Sequence, residues 1–350
     1  MSAIRTFFLA LVGGGLFSFI HVPLPWTLGP IAAVSLTALV TGRQQYWPRW
    51  VREIALIVLG YAMGRPFTLE TGQAIISQLP IMLAATFLTI AAGVFTGWLM
   101  YRRTGINLIS CLLGCVPGGL SQMVILAAEM KEADATAITI MQTLRMLSVV
   151  FTVPFLTMHV FSSGGTGGLA AAEAMPIALD TILTFAAVVI CGAIAARWLH
   201  LPTAFLLGPI LSTGAYVLLS GGQVAPMVPV HYIYAAQICV GSYIGSTIDL
   251  AKIRDYHGMG PCLFGGIVFV LLVSLLSGFG VAMLTQADFA TAFLSTAPGG
   301  LAEMGITALT VGADISTMTA YQLVRLLFIM LVFPYLAKWL VRLHEGHRQD

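Results

Sequence analysis

Two glutamine–arginine pairs lie deep within apolar stretches of the sequence. Gln142 and Arg145 are three residues apart, and Gln322 and Arg325 repeat the pair 180 positions later. Residues three apart share a helix face, so each pair presents an amide and a guanidinium together. An arginine at the centre of a membrane helix costs about 2.5–3.5 kcal/mol, so it needs a partner or a water-filled cavity. We interpret the pairs as anion-binding groups; the alternative is that the arginines hold helix C-terminal carbonyls or Glu303.

Each pair is preceded by a proline–glycine–glycine break, at Pro117 and, 181 positions later, at Pro298. Proline removes a helical hydrogen bond and glycines allow a sharp turn, so one helix ends and another begins. The new helix begins with unpaired N–H groups and a partial positive charge, which can receive a carboxylate. A kink that only improves packing is the alternative. The predicted substrate-binding residues are Gly118, Gly119, Ser121, Gln122, Gln142, Arg145, Gly299, Gly300, Glu303, Gln322 and Arg325.

Glu303 makes the two breaks chemically different, because its counterpart is the neutral Gln122. A carboxylate isolated in an apolar segment is a candidate for taking up and releasing a proton or for coordinating sodium. We therefore predict that Glu303 couples an ion gradient to transport. A fixed salt bridge to one of the two arginines is the alternative. Asp134 and Asp314 precede the last apolar segment of each half and are predicted to cap helices.

The composition indicates a membrane protein. Hydrophobic residues make up 58% of the 350 residues and charged residues 9%, whereas a soluble domain carries about 25% charged residues. We predict an all-α polytopic fold of about 10–12 transmembrane segments. The first apolar segment is expected to be retained rather than cleaved as a secretion signal.

The sequence divides into two homologous repeats. The repeats cover residues 1–161 and 173–350, joined by a glycine-rich linker at 162–172. Arginine and lysine placement favours inverted rather than parallel repeats, in which each break folds back as a re-entrant hairpin. The motifs Gly60-x-x-x-Gly64 and Gly241-x-x-x-Gly245 predict close helix contacts inside the bundle.

The sequence contains no motif that indicates nucleic-acid binding, a metal or redox site, or catalysis. The net charge of +2 is too small to indicate nucleic-acid binding. The histidines lie mostly at segment ends, and the cysteines have no metal or redox spacing. No catalytic triad or phosphate-binding loop is present. We expect no metal, no cofactor and no enzymatic activity.

The paired Pro-Gly-Gly-Leu blocks, the Gln-x-x-Arg pairs and the Pro-x-x-x-x-Leu-Gly-Pro motifs at Pro23 and Pro202 resemble the bacterial AbrB-type membrane protein family. The likeness covers nearly the whole chain. Members carry the labels of regulator of gene expression and of ammonia monooxygenase. The order of segments is also similar to the cation–proton antiporter and anion transporter superfamily, in which two interrupted helices form the site. The acidic pair typical of cation antiporters is missing from the breaks, which favours an organic anion.

The residues and the resemblance together predict a carrier of the bacterial cytoplasmic (inner) membrane. It would move a small anionic solute by alternating access, coupled to a proton or sodium gradient, with the lipid bilayer as its surroundings. Homo-oligomerisation is left open. The alternatives are a membrane-embedded regulator or metabolite sensor and, less favoured, a membrane monooxygenase.

Overall fold

The structure is a computed structural model that describes most of the chain. The described residues are 3–67, 69–119, 123–124, 126–127, 130, 133–161, 179–220, 225–248 and 259–346. The predicted linker at 162–172 therefore lies outside them. The helices of the described part are α1 Ala3–Phe19, α2 Pro25–Thr41, α3 Arg49–Gly64, α4 Leu69–Thr104, α5 Leu108–Cys115, α6 Ala135–Leu156, α7 Leu179–Trp198, α8 Ala204–Leu219, α9 Val230–Thr247, α10 Gly260–Thr285, α11 Phe289–Thr296, α12 Leu301–Val311 and α13 Ile315–Gly346.

Five of these helices are long and apolar enough to cross a membrane. They are formed by Thr71–Thr104, Ala135–Phe161, Asp180–Trp198, Gly260–Thr285 and Ile315–Arg342. The second of them continues α6 through one π-helical turn, Thr157–Phe161. Helices α1, α2, α8 and α12 are apolar but shorter. The all-α, multi-pass membrane class predicted from the sequence is confirmed, whereas the number of crossings and the inverted orientation stay predictions.

The chain forms two compact units, and each takes residues from both predicted repeats. The first unit comprises Met1–Ser77, Pro154–Ala251 and Ala302–Thr319. The second comprises Gln78–Val153, Lys252–Leu301 and Ala320–Asp350. The boundaries of the two sequence repeats therefore do not coincide with the boundaries of the two compact units.

In the first unit, glycine faces bring helices from the two halves of the sequence together. A Cβ atom at Gly60 of α3 would lie 2.6 Å from the carbonyl oxygen of Leu206 in α8. Likewise, a Cβ atom at Gly241 of α9 would lie 2.6 Å from the carbonyl oxygen of Thr27 in α2. Gly64 and Gly245 make the equivalent approach one turn further on. The predicted close packing of both Gly-x-x-x-Gly motifs is confirmed.

The second unit contains the two short helices that precede the breaks. Helix α5 packs on α4, where a Cβ atom at Gly97 would lie 2.8 Å from the carbonyl oxygen of Cys111. Helix α11 packs on α10, where a Cβ atom at Gly278 would lie 3.0 Å from Phe293 Cα. Both short helices are buried along their length. Both are fixed at their first turn, because the side chains of Asn107 and Asp288 accept backbone N–H bonds there.

Candidate functional site

The chain leaves the helical conformation one residue before each critical proline. Helix α5 ends at Cys115 and Val116 is extended, with φ −73° and ψ 133°. Helix α11 ends at Thr296, and Ala297 has φ −58° and ψ 135°. A following proline disfavours the helical conformation of the residue before it, which explains both ends. After the second break the chain becomes helical again at Leu301.

Gln142 and Arg145 on α6, which we call the first clamp, hold the end of α5. The Gln142 amide Nε2 donates to the carbonyl oxygens of Leu113 at 2.7 Å and Val116 at 2.9 Å. Arg145 Nη1 donates to Val116 O at 2.9 Å and to Cys115 O at 3.5 Å. Arg145 Nη2 donates to Gln142 Oε1 at 2.7 Å, which orients the two side chains relative to each other.

Gln322 and Arg325 on α13, the second clamp, hold the end of α11 in the same way. Gln322 Nε2 donates to Leu294 O at 2.8 Å and to Ala297 O at 3.2 Å. Arg325 Nη1 donates to Ala297 O at 2.6 Å. Arg325 Nη2 donates to Gly299 O at 3.0 Å and also to Gln322 Oε1. Three acceptor carbonyls are thus matched between the halves: Leu113 with Leu294, Cys115 with Thr296, and Val116 with Ala297. The bond to Gly299 O occurs in the second clamp only.

Both clamps satisfy helix C-terminal carbonyls. The last carbonyl groups of a helix have no intrahelical donor, and the helix dipole is negative at that end. A guanidinium placed there supplies both hydrogen-bond donors and positive charge. One of the two interpretations of the arginines, that they hold helix carbonyls, is therefore confirmed. Their role in binding a solute stays a prediction.

The glycines of the breaks have different surroundings. The N–H groups of Gly118 and Gly299 donate to the carbonyl oxygens two residues earlier, each at 2.9 Å. Gly118 also has little free space, because a Cβ atom there would lie 2.9 Å from Ile329 Cγ2. Gly119 has φ 83°, a conformation that glycine adopts without strain. Gly300 immediately precedes α12, whose first N–H groups have no acceptor within the helix. Ser121 and Gln122 lie outside the described residues.

Glu303 belongs to the first compact unit, in the first turn of α12. Glu303 is 9% exposed. A carboxylate in the first turn complements the positive end of the helix dipole. Helix α12 lies against α3 through contacts between Gly305 and Met63. In the same unit, the guanidinium of Arg52 lies 4.6 Å over the Tyr243 ring.

The two clamps concentrate positive charge in the second unit. Arg145 and Arg325 are 7% and 6% exposed and belong to the same compact unit. Among the described residues, every hydrogen bond that they donate goes to a neutral oxygen. Asp288, an acidic residue of this unit, caps α11 instead. No carboxylate in the described part of the chain neutralises either arginine.

Asp134 and Asp314 cap helices, as predicted. Asp134 Oδ1 accepts the Thr136 N–H at 2.9 Å, and Asp314 Oδ1 accepts the Ser316 N–H at 2.9 Å. Asp314 Oδ2 also accepts the Thr317 hydroxyl at 2.6 Å.

Replacing Asp314 with alanine is expected to destabilise the protein by about 1–2 kcal/mol, because the first turn of α13 loses its acceptor. Asp314→Asn retains an acceptor oxygen and should lose less. Thermal melting of the detergent-purified variants measures the difference. Equal melting temperatures for wild type and Asp314→Ala would show that the cap does not contribute.

Comparison with known proteins extends over both breaks and both clamps. Residues 26–341 match the family model described as "Transition state regulatory protein AbrB". The chain belongs to the AbrB family. A similar protein of Escherichia coli (strain K12), named "Putative regulator AbrB", is 27% identical over 332 residues, which cover 93% of this chain and 92% of that protein. "Uncharacterized protein YhjN" of Bacillus subtilis (strain 168) is 25% identical over 382 residues, with coverage of 98% and 94%.

The AbrB family resemblance seen in the sequence is thus confirmed. The backbone acceptors of the clamps were not predicted individually, because a carbonyl group leaves no mark in the sequence. Leu113 and Leu294 are 181 positions apart, as are the two breaks. This spacing was the available indication that the two clamps would bond equivalent carbonyl groups. In the described residues, no group of three or more histidine, cysteine, aspartate or glutamate side chains is placed to hold a metal ion.

Proposed function

We propose that this AbrB family protein carries a small anionic organic solute across the bacterial cytoplasmic membrane by alternating access. The main support is the pair of buried guanidinium groups of Arg145 and Arg325, which share one compact unit and bond to neutral oxygens in the described residues. Burying a charge without a counter-charge costs several kcal/mol. An anionic solute that offsets this cost would bind here with favourable electrostatic energy.

The lengths of the interrupted helices support a site at membrane depth. Helices α5 and α11 have eight residues each, which corresponds to about 12 Å. The hydrocarbon core of a bilayer is about 30 Å thick, so neither helix can cross it alone. Non-helical backbone at such depth is tolerated where protein buries it or where it lines a water-filled cavity. Paired interrupted helices near the midplane are where many secondary transporters bind substrate.

We assign roles to residues on this basis. Arg145 and Arg325 supply positive charge to the solute, and Gln142 and Gln322 orient them. The N–H groups at the start of α12 supply further donors. Glu303 is the group that binds the coupling ion, a proton or sodium. No chemical step is assigned, so the protein would not be an enzyme.

Flux into proteoliposomes tests the proposal, with a solute found by screening metabolites for a raised melting temperature. Glu303→Gln is expected to reduce gradient-driven uptake at least tenfold, because glutamine cannot take up a proton and binds sodium weakly. Exchange of labelled for unlabelled solute should be less affected, since it needs no ion gradient.

Glu53→Gln is the matched control. Glu53 pairs with Arg49 at 3.5 Å on the surface, and a surface pair of this kind contributes about 0–1 kcal/mol. Solute flux through the Glu53→Gln variant should equal that through the wild-type protein. Unchanged uptake in both Glu303→Gln and Arg325→Ala would contradict the proposal.

A regulator or metabolite sensor is the second candidate, because the similar Escherichia coli protein is named as a regulator. A sensor needs a cytoplasmic surface through which to signal, and the sequence offers short loops and the segment after Lys338. Deleting residues 343–350 separates the roles. A carrier should keep its flux, whereas a sensor that signals through this segment should lose its effect on gene expression.

A further inference from the structure

The two clamps differ in how completely their arginines are bonded. Arg325 donates through Nη1 and Nη2 to three carbonyl oxygens and to Gln322. Arg145 donates to two carbonyl oxygens and to Gln142, and it lacks the equivalent of the bond to Gly299. Its Nε–H is buried and has no hydrogen-bond partner. A buried donor without an acceptor costs about 1–3 kcal/mol, and more for a charged group.

A small cavity lies beside this unsatisfied guanidinium. It is lined by Thr96 of α4, Cys115 of α5, Arg145 of α6 and Val270 of α10, all in the second unit. Its other walls are Gly114, Gly266 and the apolar side chains of Leu263 and Ile267. The cavity has room for about one water molecule. It is thus too small for an organic solute, although it shares Arg145 with the solute site proposed above.

We infer that this cavity binds a single small monovalent anion of the halide class, which accepts the Arg145 Nε–H bond and neutralises part of its charge. A water molecule in the same place would accept the hydrogen bond and leave the charge uncompensated. The Thr96 hydroxyl donates to Ala92 O at 2.9 Å, so Arg145 is the cavity's charged donor. The wall of this cavity is not repeated in the second half, where Ser295 and Thr296 stand in place of Gly114 and Cys115.

Melting temperature in different salts tests this inference without any transport measurement. The purified protein is melted in sodium chloride, sodium bromide or sodium gluconate at equal ionic strength and pH. Gluconate is too large for the cavity. We expect the halides to raise the melting temperature by a few degrees, and the increase to saturate with concentration, because a ligand of the native state stabilises it.

Three variants locate the effect. Arg145→Gln removes the charged donor and should abolish the difference between halide and gluconate. Val270→Ile adds a methyl group to the cavity wall, leaves the clamp intact and should also abolish it. Arg325→Gln, the same change in the other clamp, should melt lower in all salts and keep the difference.

A bromide anomalous peak beside Arg145 Nε in crystals would locate the anion directly. Water at that position, equal melting of wild type in halide and gluconate, or a halide effect that survives both Arg145→Gln and Val270→Ile would overturn the inference. None of these outcomes bears on whether the protein is a carrier, because no solute is present in the experiment.

Discussion

Arg325→Met is expected to lower the free energy of unfolding by about 3–5 kcal/mol. The change removes the Arg325 donor from the carbonyl oxygens of Thr296, Ala297 and Gly299. Ala297 O keeps the Gln322 amide and the Gly299 N–H as donors, whereas Thr296 O and Gly299 O lose the arginine, and a buried acceptor left unsatisfied costs about 1–3 kcal/mol. The end of α11 also loses a positive charge that complements its dipole. The measurement is thermal melting in detergent, in which we expect a decrease of about 10 °C.

Two further substitutions show whether charge or geometry is responsible. Arg325→Lys keeps the charge and loses the planar fork that reaches several carbonyls, so it should restore only part of the stability. Arg49→Met removes an exposed surface arginine that pairs with Glu53, and it should change stability by less than about 1 kcal/mol. If Arg325→Met melts like wild type, the clamp does not stabilise the break.

Substituting the glycines at the helix crossings is expected to prevent folding. Leucine at position 60 or 241 would place its Cβ atom 2.6 Å from a backbone oxygen of the neighbouring helix, so two helices must separate. Overpacking typically costs about 1–3 kcal/mol when side chains can adjust, and more is expected where backbone opposes backbone. Size-exclusion chromatography of the solubilised protein should show aggregated material for Gly60→Leu and Gly241→Leu.

Gly15→Leu and Gly280→Leu are the matched controls. A Cβ atom at either position meets no other atom within 4 Å, so these variants should elute as wild type does. Normal elution of Gly60→Leu would contradict the packing of α3 on α8.

The sequence predicted the structure correctly where the residue type itself restricts the backbone conformation or the packing distance. Proline at positions 117 and 298 disfavours helix in the preceding residue, and both helices end there. Glycine spacing predicted the close crossings because only glycine permits them. Buried arginine predicted a partner, yet its identity stayed open between a solute, Glu303 and helix carbonyls. The carbonyls belong to the backbone, which every residue has, so only the fold could select them.

Helix boundaries were less predictable for a related reason. Helix α4 begins at Leu69 and contains Pro80, whereas the strongly apolar part of its sequence begins only near residue 79. Residues 69–78 include Glu70, Thr71 and Gln73, so hydropathy alone does not mark them as part of a spanning helix. A polar first turn is compatible with a helix that starts at the membrane interface. The sequence also gave no indication that the Nε–H of Arg145 would lack a partner. Whether an acceptor atom lies near a buried donor depends on how the surrounding helices pack.

The reciprocal pairing of α3 with α8 and of α9 with α2 bears on how such a chain arises. A polypeptide of only the first 161 residues would leave the Gly60 face of α3 without its partner helix. A second copy of that polypeptide would pack its own α2, the counterpart of α8, against this face. Its α3 would in turn pack against α2 of the first copy. An ancestral homodimer would therefore be self-complementary, and fusing its two genes would remove the dependence of assembly on protein concentration.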